Sequence, residues 1–230
     1  MDTIYRTSAE KIDKIFSLEE NSSLNDSDWV EIVKFVNDED YEVRYRVCEL
    51  LGLFPSEKSE TYLLSLINDP DSLVRVSAID SLYFSVSSDT IERLKKSTKE
   101  KSILVRGYAA TTIGDIQNNI GVNSEQTLSF LYTLFKKEKS EWVKLSIAHS
   151  LFLLGDSSYL DYLIEGINSR YYRNRIAAIT ILEQLEIWKV GHIVLRLKEV
   201  LKQRLKIEKA YAVECTLEKL LSKLMEYKST

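Results

Sequence analysis

Asn37-Asp38-Glu39-Asp40-Tyr41-Glu42-Val43-Arg44 is matched 31 residues later by Asn68-Asp69-Pro70-Asp71-Ser72-Leu73-Val74-Arg75. The cadence continues with Ser102-Ile103-Leu104-Val105-Arg106 after another 31 residues, Ser140-Glu141-Trp142-Val143-Lys144 after 38, and Asn174-Arg175 after 31 more. A degenerate sixth copy centres on Glu208-Lys209, 34 residues further on. Self-similarity at a period of about 20 to 50 residues marks a stack of small supersecondary units, each unable to bury its apolar face alone.

Each copy reads as two helices. Ahead of the basic position runs an apolar face at helical spacing, as in Ile32, Phe35 and Val36, Leu63, Leu66 and Ile67, or Leu163, Ile164 and Ile167. This is the outer helix. Asp40, Asp71, Ser102 and Ser140 share the next column, and their side-chain oxygens can accept from free amides of a following first turn. An inner helix therefore starts there. Three places after the basic residue stand Val47, Ala78, Ala109, Ile147 and Ala178; seven places after it stand Leu51, Leu82, Ile113, Leu151 and Leu182. Small and large residues alternating on one stripe suit close packing of neighbouring helices.

The stretch Asp69-Pro70-Asp71-Ser72-Leu73-Val74-Arg75-Val76-Ser77-Ala78-Ile79-Asp80-Ser81-Leu82 resembles the HEAT-repeat consensus, in particular its short bacterial form. The resemblance covers about residues 28 to 225 and implies an all-α fold, a right-handed α-solenoid of about five to six hairpins. It also implies a ladder in which the turn aspartate and the inner-helix arginine are hydrogen-bonded from repeat to repeat. That role falls to Asp38, Asp69, Arg44, Arg75 and Arg106. Lys144 departs from the pattern and cannot make a forked contact, and the third and fourth copies lack the turn aspartate that would complete the ladder there.

Composition agrees. Only 7 Gly and 2 Pro among 230 residues are too few for a turn-rich sheet fold. Residues 1–27, with a helix over 8–18 and the polar Asn21 to Ser27, read as an N-terminal capping segment; 28–187 hold five repeats; 188–230 hold the degenerate repeat and a C-terminal cap, all one domain. The longer step between the third and fourth copies is filled by Asn118 to Ser124, read as a turn-rich loop insertion.

The start, Met1 to Arg6, has neither the basic opening nor the apolar core of a secretory signal, and no apolar run approaches a membrane span of about 20 residues. A cytoplasmic protein without membrane contact is expected. Cys48 and Cys215 read as small hydrophobes.

Seats for chemistry are missing from the sequence. The seven glycines fit no phosphate-loop pattern, and His149 and His192 lie far from each other and from cysteine. No metal, cofactor or catalytic residue is expected, and the chain reads as a non-enzyme. One exception is a HEAT-like DNA glycosylase, which would need Trp29, Trp142 and Trp188 to converge on an extruded nucleotide. Net charge is −4 with 31 basic and 35 acidic residues interspersed, which disfavours nucleic acid. The best local feature for it is Arg170-Tyr171-Tyr172-Arg173-Asn174-Arg175, read first as turn structure around the ladder position Arg175.

The expected activity is binding of another protein, one with a basic surface, by the concave face; a bacterial immunity-type inhibitor of a cognate toxin is the specific form. The columns two and five places after the ladder residue are left for the partner by the helical period. They hold Arg46 and Glu49, Ser77 and Asp80, Tyr108 and Thr111, Ser146 and His149, Ala177 and Thr180, and Tyr211 and Glu214.

Overall fold

In the computed structural model, residues 7–122 and 124–227 are described. Met1 to Arg6, read above for a leader, lie outside them, as do Asn123 and the last three residues. The described residues are helical throughout, with thirteen α-helices, three short 3₁₀ turns and no strand. The chain divides into two compact units, Met1–Val122 and Asn123–Thr230.

In the first unit, α1 (Ser8–Glu19) precedes three hairpins: α2 (Asp26–Val36) with α3 (Tyr41–Leu53), α4 (Glu57–Leu66) with α5 (Ser72–Asp80), and α6 (Ser88–Ser97) with α7 (Ile103–Ile120). The inner helices start where their caps lie, with Asp40, Asp71 and Ser102 accepting from amides of the first turn. Helices α1, α3, α5 and α7 pack side by side as the inner layer. Ala78 and Ala109 are fully buried in it, because a methyl group is what the close helix spacing admits.

Helix α1 lies in the inner layer beside α3. Its N-cap Thr7 forms a capping box with Glu10, and four places on, where the arginine of a repeat would stand, Lys11 Nζ meets Asp38 Oδ2 at 2.7 Å. In the segment that the sequence reads as a cap, α1 thus takes an inner-helix position beside α3.

The second unit holds α8 (Glu125–Lys137) with α9 (Glu141–Leu153), α10 (Tyr159–Glu165) with α11 (Tyr172–Gln184), and α12 (Val194–Leu205) with α13 (Tyr211–Glu226). Its core runs from Leu145 and Ala148 through Leu163, Ala178 and Leu197 to Leu217 and Leu224.

The ladder is more complete than the sequence shows. Arg44 donates from Nε and Nη2 to Asp69 at 2.7 and 2.8 Å and from Nη1 to the carbonyls of Asp38 and Glu39. Arg75 reaches Glu100 at 2.9 Å and Arg175 reaches Glu208 by two bonds. Glutamates occupy the column two places before the inner-helix cap. Glu138 accepts from the amides of Lys139 and Ser140, and Glu208 from those of Lys209 and Ala210, as Asp69 accepts from that of Asp71. A longer carboxylate does the aspartate's work. Lys144 leaves the ladder, its ammonium lying 5.0 Å from the Phe135 ring centroid.

The insertion also differs from expectation. Asn118 to Ile120 are the last turn of α7, which ends at Gly121 in the left-handed conformation, φ 75°. Asn119 donates to the Tyr83 carbonyl and Gln117 to that of Val122, so local side-chain bonds and the glycine cap hold as helix what composition alone marks as loop.

Candidate functional site

Packing leaves one face of α1, α3, α5 and α7 to solvent, and its residues are fixed by the helical period. Leu73 and Leu104 stand at its N-terminal edge, 46% and 45% exposed. Tyr45, Arg46 and Tyr108 follow, half-buried, and beyond them lie Glu49, Asp80 and Asp115, with Glu19 on α1.

Glu49 is held by its own helix: Tyr45 Oη donates to Oε1 at 2.9 Å and Arg46 Nη1 to Oε2 at 2.8 Å. The Arg46 guanidinium lies over Phe16 and Tyr45, 5.4 and 5.5 Å from the ring centroids. Among the described residues, no cation compensates the next two carboxylates. Desolvation and then Glu49 raise Asp80; desolvation and then Asp80 raise Asp115, to about 7. Glu19 is raised by desolvation and by Glu49, against Arg46. Asp80 is exposed, yet the protein around it takes enough hydration from its carboxyl to raise it. The four carboxylates form a row across successive inner helices, each felt by the next.

Of the residues singled out from the sequence, Arg46, Glu49, Asp80, Tyr108 and Thr111 share this face in the first unit. Ser77 is buried, its Oγ donating to the Tyr45 carbonyl at 3.4 Å. In the second unit Ser146 and His149 are also buried. Burial holds His149 neutral, its pKa lowered to about 4, with Nδ1 unpartnered. The structure thus places Ser77, Ser146 and His149 against neighbouring protein and not on an open groove, because helical period gives the direction of a side chain and not the distance to the next helix. Ala177, Thr180 and Glu214 are half-buried, and Tyr211 is exposed at the start of α13. Asp115, Glu19 and Phe16 were missed. Asp115 lies four residues beyond Thr111, on the same face, and that spacing was the available signal.

The tryptophans are occupied elsewhere. Trp29 stacks on Tyr62 of α4 with Lys58 over its ring, and Trp188 has Lys223 over its ring. These contacts are with residues of other helices and give no support to a glycosylase.

Residues 30–106 match the model of the family described as HEAT repeats. Those residues are HEAT repeats. The helical-repeat fold of the chain as a whole is similar to solved structures. One is a chain of the complex of CpcE and CpcF of phycocyanin lyase from Nostoc sp. PCC7120, 14% identical, with a TM-score of 0.58 over 97% of this chain and 100% of that one. Human deoxyhypusine hydroxylase in complex with glycerol is 12% identical with a TM-score of 0.38, covering 96% and 99%. A designed armadillo repeat protein is 17% identical with a TM-score of 0.34, covering 84% and 98%. No curated protein matches the sequence.

The expectation of a non-enzyme is overturned here. The matching fold belongs to a component of a lyase, so the HEAT architecture and the want of a sequence motif do not argue against catalysis. Perturbed groups are invisible to a motif search, as at Asp115, where desolvation and a neighbouring carboxylate bring the pKa to about 7. Among the described residues no helix is long and apolar enough to cross a membrane.

Proposed function

We propose that the exposed inner-helix face of the first unit binds a basic segment of a partner protein. The observation that carries this reading is the row Glu19, Glu49, Asp80 and Asp115, where Asp80 and Asp115 feel other carboxylates and, among the described residues, no compensating cation. Lysine or arginine side chains from a partner would relieve that repulsion, and Tyr108, Leu73 and Leu104 supply apolar area beside it. Charge over the unit agrees, since residues 1–122 hold 14 basic and 22 acidic residues, a net of −8. A cognate toxin with a basic surface, the partner of an immunity-type protein, belongs to this class.

The test is affinity capture by the tagged protein, followed by titration of the recovered partner against the variant Glu49→Lys, Asp80→Lys, Tyr108→Ala. Loss of binding with an unchanged melting temperature is expected, and for the unaltered protein an association rate that falls as salt rises. Full-strength binding by the folded variant would sink the reading.

A second reading is favoured by Asp115, half-protonated near neutral pH beside Asp80, in a fold shared with a chain of phycocyanin lyase. Such a carboxyl is suited to proton donation to a bound ligand. If Asp115→Asn leaves partner binding intact but abolishes a reaction on the partner or its cargo, this reading replaces simple binding.

A further inference from the structure

The net charge of −4 conceals an opposite balance in the second unit, where residues 123–230 hold 17 basic and 13 acidic residues, a net of +4. The excess gathers where the outer helices end and the inner helices begin. Lys137 and Lys139 stand exposed at the α8–α9 turn, Arg170 and Arg173 at the start of α11, and Lys206 and Lys209 at the α12–α13 turn. The acidic residues of these turns are engaged inward: Glu138 accepts from backbone amides, Glu141 from Ser169 and Asn174, and Glu208 is buried on Arg175. What remains at the surface of this edge is cationic.

Two tyrosines sit among these cations. Tyr171 and Tyr172 are 51% and 46% exposed, so turn packing does not account for them. Arg170 lies over the Tyr171 ring at 4.4 Å and Arg173 is 5.8 Å from the Tyr172 centroid, also donating to its hydroxyl. Exposed pairs of this kind contribute little to a fold. Helices α11 and α13 also start without the side-chain cap that α3, α5, α7 and α9 possess, which leaves first-turn amides facing the same edge. In the linear sequence these features were outweighed by the whole-chain charge, which averages two units of opposite sign.

We propose that this turn edge of the second unit binds single-stranded nucleic acid, with the lysines and arginines along the backbone phosphates and Tyr171 and Tyr172 as stacking platforms for bases. Cations tracking a phosphate chain, with aromatic rings interleaved, are the two elements of sequence-tolerant single-strand binding. An acidic peptide or an anionic bilayer would use the cations and have no use for the rings. That difference separates the occupants.

The experiment is fluorescence anisotropy of the full chain with labelled 20-nucleotide oligo-uridine, alongside polyglutamate of matched length and vesicles containing phosphatidylserine. Binding to the RNA is expected to weaken with salt at a log–log slope of about −3 to −4, from roughly 0.7 per phosphate contacted by single strands. Arg170→Ala with Arg173→Ala should bring that slope closer to zero by about 1.4. Tyr171→Ala with Tyr172→Ala should lower affinity about tenfold or more, whereas the paired phenylalanine variant keeps it, because stacking needs the ring and not the hydroxyl. All four positions are exposed, so melting temperatures should not move. No RNA binding at 50 mM salt would overturn the proposal. So would tighter binding of polyglutamate or vesicles than of RNA, or full RNA affinity in the double alanine variant at Tyr171 and Tyr172.

Discussion

Arg175 and Glu208 meet across two repeats in a forked pair, Nε to Oε2 at 2.8 Å and Nη2 to Oε1 at 2.7 Å, both residues being buried. Burial alone would raise the Glu208 carboxyl, but the bonds from Arg175, the Ala210 amide and Arg204 outweigh it and hold the pKa down at about 2, against an ordinary 4.5. The folded pKa lies below the unfolded one, so this stabilisation is present above about pH 4.5 and is lost as pH falls toward 2. Arg175→Ala, which removes the forked partner and leaves Glu208 to Arg204 and the backbone amides, should cost about 1 to 3 kcal/mol in urea unfolding at pH 7, the range for hydrogen bonds to charged groups. At pH 3 the difference from the unaltered protein should shrink; an equal difference at both values would mean that the pair is not what the substitution removes.

Gly166 follows α10 where a side chain has no room. A Cβ built there would lie 2.7 Å from Leu145 Cδ2 and 2.9 Å from Ala178 Cβ. Gly166→Ala should therefore destabilise by about 1 to 3 kcal/mol through overpacking. Adding Ala178→Gly should return part of that loss in a double-mutant cycle. Strictly additive costs would show that the two positions do not share this contact.

The repeat was legible because its columns are set by packing and capping, which act on residue type at fixed spacing. Asp40 and Asp71 must cap, Ala78 and Ala109 must be small, and Leu51 and Leu82 must fill the space between. The glutamate rungs were not legible, because Glu100, Glu138 and Glu208 differ in type from Asp69 while reaching the same amides or arginines through a longer chain. The exposed face was half legible. Glu49, Asp80 and Tyr108 follow from the period, but Asp115 requires knowing that α7 runs on to Ile120. Ser77 and His149 fell to the wrong side because helical period gives an angle and not the distance to the next helix.

Two rungs of the same ladder differ in strength. Arg44 makes two bonds to Asp69, whereas Arg75 makes one to Glu100 and keeps an unpartnered buried Nε. Lysine can satisfy one acceptor as a point charge but cannot fork. Arg44→Lys should thus cost about 1 to 3 kcal/mol, the range for hydrogen bonds to charged groups, and Arg75→Lys less than half as much. Thermal unfolding of the two variants side by side checks this, and the reverse order would contradict the geometry.

Asp115 offers the sharpest pH test. Its carboxyl is raised from the ordinary 3.8 to about 7 by desolvation and then by Asp80. A folded pKa above the unfolded one means that the fold binds the proton more tightly, so stability falls as pH rises between about 4 and 7 and stays lower above that window. Asp115→Asn keeps the shape and removes the charge. It should leave stability at pH 4 nearly unchanged and raise it at pH 8 by about 1 to 3 kcal/mol, since each tenfold gain in proton affinity corresponds to roughly 1.4 kcal/mol and solvent relaxes part of the effect at this half-buried site. The same substitution weakens the row that the proposed basic partner would meet, so affinity for that partner should fall as stability rises. Chemical denaturation at pH 4, 6 and 8 reads the first effect, and carboxyl chemical shifts of Asp115 give the titration directly. A titration midpoint near 4 would remove both the stability effect and the reading of Asp115 as an uncompensated carboxyl awaiting a cation.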